Sequence, residues 1–106
     1  MNLWPAWYRP NGSQIPACDV IAVVARMFET DVPTMRGAQR HHAIVNARSV
    51  AVMVLLGRGM STSVVGRMMN RDHTSIIHLR DTFAMRARRF PKIDQAYSRI
   101  ALERAA

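Results

Sequence analysis

The stretch Met60–Leu79, MSTSVVGRMMNRDHTSIIHL, reads as two short helices joined by a tight turn. Ser61 is a good N-cap, and Val64, Val65, Met68 and Met69 recur behind it at helical spacing. Asn70 breaks that pattern. Asp72, His73, Thr74 and Ser75 then open a second helix, whose Ile76, Ile77 and Leu79 can pack back on the first. A scaffold helix followed by a helix with a polar, exposed first turn is a helix-turn-helix. In that arrangement the N-terminal side chains of the second helix meet base edges.

Downstream, the second helix is expected to run through Phe83 and Met85 to about Arg89, with Ile76, Leu79, Phe83 and Phe90 toward the core. Pro91 ends it. A last helix follows over residues 92–104, with Ile93, Tyr97 and Ile100 on its buried side. Upstream, residues 43–57, AIVNARSVAVMVLLG, are apolar on nearly every side, which marks the most buried helix. Gly57 and Gly59 close it. Arg48 is its oddity: it either snorkels to water or projects from the exposed end toward DNA. Residues 16–28 form a first helix with Ile21, Val24, Ala25 and Phe28 as an apolar stripe, and residues 34–37 offer one further turn. Arg36, Arg40, His41 and His42 make a basic connector. The expected fold is all-α, with five or six helices around a central helix-turn-helix. Its domain covers residues 15–106, preceded by an aromatic arm over residues 1–14 that holds Trp4, Trp7 and Tyr8.

A net charge of +8 is distributed unevenly. Residues 1–35 hold Arg9 and Arg26 against Asp19, Glu29 and Asp31, a net of −1. Residues 36–92 hold ten arginines and Lys92 against Asp72 and Asp81, a net of +9, and residues 93–106 balance. All the excess charge therefore accompanies the helix-turn-helix. Fourteen of the fifteen basic residues are arginine, whose planar fork suits phosphate oxygens and guanine edges. Charge and motif together point to nucleic acid.

Other functions find less support. The single cysteine, Cys18, excludes an internal disulfide framework and is expected to be a small buried hydrophobe. The adjacent histidines have no ligand spacing around them, so no metal site is expected. No nucleophile stands beside a base, and no carboxylate pair suggests acid–base work, so an enzyme is not expected. No apolar run approaches the roughly 20 residues of a membrane span, and the N-terminus lacks a secretory pattern. The expected setting is the cytoplasm.

The run Arg71-Asp-His-Thr-Ser-Ile-Ile-His78 resembles the signature GRDHTTVLHA of the carboxy-terminal DNA-binding domain of DnaA, the bacterial chromosomal replication initiator. The likeness extends over roughly residues 19–104, in a Trp-repressor-like order of helices. By resemblance, Asp72, His73 and Thr74 enter the major groove, while Arg71 and Ser75 lie at phosphates or base edges. Arg48 matches the arginine that reaches the minor groove. The residue chemistry agrees. Asp72 can accept from a cytosine amine, His73 and the Thr74 methyl can meet base edges, and Arg48 suits the potential of a narrow A·T-rich groove. Asp72 also suits an N-cap. Arg36, Arg40 and Arg71 are expected at phosphates, as is Ser61 with the free N–H groups behind it.

The departures are specific. The family's two glycines before the arginine are replaced by Asn70 alone, and no GxxxxGK motif followed by Ser or Thr occurs, so no nucleotide site is expected. The sequence thus points to a stand-alone, cofactor-free binder of double-stranded DNA at DnaA-box-like sites, regulating replication initiation or transcription. The competing expectation is a helical adaptor that docks a protein partner through Trp4, Trp7 and Tyr8.

Overall fold

The computed structural model describes residues 15–105; the aromatic arm expected over 1–14 lies outside them. Among the described residues seven helices follow in order: α1 Ala17–Met27, α2 Val32–Arg36, α3 His42–Gly57, α4 Thr62–Met69, α5 His73–Asp81, α6 Phe83–Arg89 and α7 Pro91–Ala105. No strand occurs among the described residues. The all-α class is as expected, but the helix count exceeds five or six for two local reasons. The turn near residue 34 is a helix of its own, because Asp31 accepts the Thr34 N–H at 2.8 Å and Pro33 stands in the first turn. The long helix expected to run to Arg89 is interrupted at Thr82. There the hydroxyl donates back to the His78 carbonyl at 2.8 Å, competing with the backbone ladder. Pro91 does more than end α6, since it is also the first residue of α7. A proline is tolerated there because the N–H it lacks has no partner to lose.

α3 is the hub, and each of the other six helices packs on it. Its near-continuous apolar surface is the reason: Ala47, Val50, Ala51, Val52 and Leu55 are completely buried. Val20, Val23 and Val24 of α1 reach it from one side, and Ile93 and Ala96 of α7 from another. Val65 and Met69 of α4 and Ile76 of α5 complete the core beneath the helix-turn-helix.

The turn between α4 and α5 is set by backbone geometry. Asn70 adopts the left-handed conformation, φ 57° and ψ 46°. The Arg71 N–H then reaches the Gly66 carbonyl at 2.7 Å and the Asn70 N–H the Arg67 carbonyl at 3.3 Å. These two bonds form a Schellman closure, with Asn70 in the place usually taken by glycine. The closure brings the Arg71 carbonyl so near Gly66 that a Cβ there would stand 2.5 Å from its oxygen. Only glycine fits. Gly66→Ala must push backbone against backbone, and we expect a loss of roughly 1–3 kcal/mol, the usual range for overpacking. Chemical denaturation checks this; an unchanged midpoint would contradict the close approach.

Candidate nucleic-acid interface

The first turn of α5 is exposed because its far side is anchored. Ile76 and Leu79 are buried, and they hold the helix against α3 and α4. Asp72, His73, Thr74 and Ser75 consequently all face solvent. Asp72 caps the helix, accepting the Ser75 N–H at 2.9 Å. That bond, with a smaller contribution from His73, holds its carboxyl below the usual aspartate range. Asp72 therefore stays ionised and acceptor-only at neutral pH, although a carboxylate has more lone pairs than one cap uses.

Beside this turn runs the loop between α2 and α3. Asn70 donates to the Arg36 carbonyl at 3.3 Å, and Arg71 donates to the carbonyls of Gly37 at 2.5 Å and Met69 at 3.2 Å. The loop is thereby stitched to the helix-turn-helix, and Arg36 and Arg40 stand exposed on it. The two elements enclose an open cleft of about 840 Å³, lined among others by Arg36, Arg40, Arg48, Arg71, Thr74 and His78. Asp72 is the single carboxylate in that lining, so the cleft is strongly positive. Ser61 is exposed on the neighbouring helix start, where its hydroxyl oxygen accepts the Val64 N–H at 3.1 Å.

Arg48, matched by resemblance to the minor-groove arginine, is only 3 % exposed and lines the cleft from within the fold. Its Nε donates to the Met35 carbonyl at 2.8 Å, and its Nη1 to the Gln39 carbonyl at 2.5 Å. Its Nη2 donates to the Gly37 and Thr34 carbonyls at 2.8 and 3.2 Å. The physical reason lies in α2. A helix end leaves carbonyls without intrahelical partners, and the five-donor fork of a guanidinium can satisfy several at once. Burial, then the nearby charges of Arg71 and Arg40, lower its pKa to about 10, so it remains a cation at neutral pH. Burial and Arg40 act on Arg71 in the same direction.

The structure thus brings Arg36, Arg40, Arg71, Asp72, Thr74 and Ser75 to one cleft, with His73 on the same exposed turn and Arg48 beneath. Two contributors escaped the sequence reading. Asn70 acts as both a left-handed turn residue and a donor to the loop, and His78 lines the cleft although it lies a turn beyond Thr74. The loss of the glycine pair before Arg71 was the available sign for Asn70. The i, i+4 spacing from Thr74 was the sign for His78.

Comparison with known proteins follows the same residues. The profile of the bacterial DnaA protein helix-turn-helix matches residues 18–82. The chromosomal replication initiator protein DnaA of Mycobacteroides abscessus is 30% identical over 95 residues, which cover 85% of this chain. The match takes in only 19% of that relative, so the chain spans about a fifth of its length.

If Arg48 is a brace, its loss is first a loss of stability. Arg48→Ala takes the donor from the buried Met35 carbonyl and removes the fork's bonds to Thr34, Gly37 and Gln39, at a cost of roughly 3 kcal/mol when more than one charge-assisted bond is lost. Arg48→Lys should fall between the two, since an ammonium cannot reproduce the fork. Denaturant unfolding of the free protein reads both; wild-type stability in Arg48→Ala would overturn the bracing role.

Proposed function

This chain belongs to the bacterial DnaA helix-turn-helix family, and on that premise we propose that it binds double-stranded DNA sequence-specifically. Its targets would be sites related to the DnaA box. By occupying them it regulates replication initiation or transcription, without ATP hydrolysis of its own. One observation carries this reading: Asp72, His73, Thr74 and Ser75 are exposed together at the start of α5, beside a cleft with four arginines and a single carboxylate.

The roles divide by chemistry. Asp72, His73 and Thr74 read base edges in the major groove, with the Asp72 carboxylate suited to a cytosine amine and the Thr74 methyl to a thymine methyl. Arg36, Arg40 and Arg71 contact phosphate, joined by Ser61 and Ser75, and so fix the register in which the reading turn enters the groove. Arg48 acts indirectly, holding the loop that presents Arg36 and Arg40 at the proper height beside the reading turn. The arginines need little reorganisation to meet phosphate, because Arg36 and Arg40 make no ion pair among the described residues.

Selection of preferred sites from a random duplex library tests the specificity directly, and an enriched motif related to the DnaA box is the expected result. Phosphate contacts make log K fall with log salt by about 0.9 per phosphate neutralised, so several contacts give a steep line and a flat one excludes this reading. On the selected site, His73→Ala and Thr74→Ala should each cost on the order of 1–3 kcal/mol, and little on random duplex. Equal losses on both duplexes would remove the base-reading role.

A further inference from the structure

A second cluster of positive charge lies where α6 ends against the start of α3. The Phe90 ring packs against the His42 ring, with centroids 5.4 Å apart, and the Arg89 guanidinium lies 5.5 Å from the Phe90 centroid. His41, His42 and Arg89 are exposed, and none of them meets a carboxylate among the described residues. One turn before Phe90, Arg86 reaches inward to the Asn46 side chain at 3.3 Å, and its buried Nε has no partner. Among the described residues no carboxylate pairs with it. α3 itself adds to the field. It is sixteen residues long, carries no acidic residue in its first turn, and receives no side-chain cap from His41.

The cluster adjoins the cleft along the chain. Arg40 lines the cleft, and His42 is two residues further along the chain, within a reach of about 7 Å. From these observations we infer that Arg89, held over Phe90, and His42 form a further phosphate contact for the DNA backbone, beyond the turn that reads bases. This rests on the DNA-binding reading and extends it. The occupant is a backbone phosphate of the same duplex, since the cluster offers cationic donors beside backbone N–H groups and no base-reading element. Its contribution is affinity and footprint length, not choice of sequence.

The experiment uses the full chain and a mixed-sequence duplex, so that no preferred site need be known. Binding is measured over a salt series for the wild type, Arg89→Ala, Arg89→Lys and Arg26→Ala. Arg26 is exposed on α1 and serves as the charge-matched control. Arg89→Ala should lower the salt slope by about 0.9, the loss of one phosphate, and weaken binding equally on all sequences. Arg89→Lys should keep the slope, and Arg26→Ala should leave it unchanged. Melting curves should stay close to wild type, because both side chains are exposed and Arg89→Ala gives up only its contact with the Phe90 ring. A wild-type slope in Arg89→Ala overturns the contact, and so does an equal drop in Arg26→Ala, which would indicate net charge alone. A wild type that binds no duplex would instead remove the DNA-binding reading itself.

Discussion

One buried guanidinium holds the interface in shape. Arg48 takes the carbonyls of Thr34, Met35, Gly37 and Gln39 in a single fork, and it does so from the central helix. A buried cation without a carboxylate is costly unless its donors are satisfied, and here main-chain oxygens satisfy them. The arrangement serves two ends. It fastens the loop after α2 to the core, and it leaves the positive charge unneutralised beneath the cleft. A carboxylate partner would have done the first and cancelled the second. Gly37 is the joint of this system, because its carbonyl also accepts from Arg71.

The other half of the interface is ordered by backbone geometry. The closure at Asn70 fixes where α5 begins, and the close approach at Gly66 leaves little freedom for the angle between α4 and α5. Ile76 and Leu79 then hold α5 down on the core. The loop and the exposed first turn of α5 are thus tied to the same central helix from two directions, and Asn70 and Arg71 tie them to each other. The family assignment fits that plan, since the matched residues 18–82 contain every element that builds the cleft.

Much of this was legible in the residues themselves. Ser61 and Asp72 cap α4 and α5 as their positions suggest, and the apolar spacing of α1, α3 and α4 places the core correctly. These are local signals, read within a few residues. Arg48 was not legible. A lone arginine on an apolar helix has two plain outcomes, snorkelling or projection, and both lead outward. Its actual partners lie nine to fourteen residues away in chain, and they are carbonyls, which every residue possesses and no sequence marks. The break at Thr82 was hidden for a similar reason. A threonine in a helical pattern shows no preference until its hydroxyl chooses a backbone partner. Nothing in the sequence marks the constraint on Gly66, because the oxygen its Cβ would meet belongs to Arg71, in the turn that follows the helix.

The cap on α5 shapes how such a protein can diverge. Asp72 serves the helix as well as facing outward, so its replacement is filtered by folding before any target is consulted; few residue types cap well. His73 and Thr74 face solvent without such a structural duty. Drift among descendants would accordingly be fastest at those two neighbours and slowest at the carboxylate. New preferences would then arise by exchange at the unburdened positions, while the older letter is inherited with the scaffold.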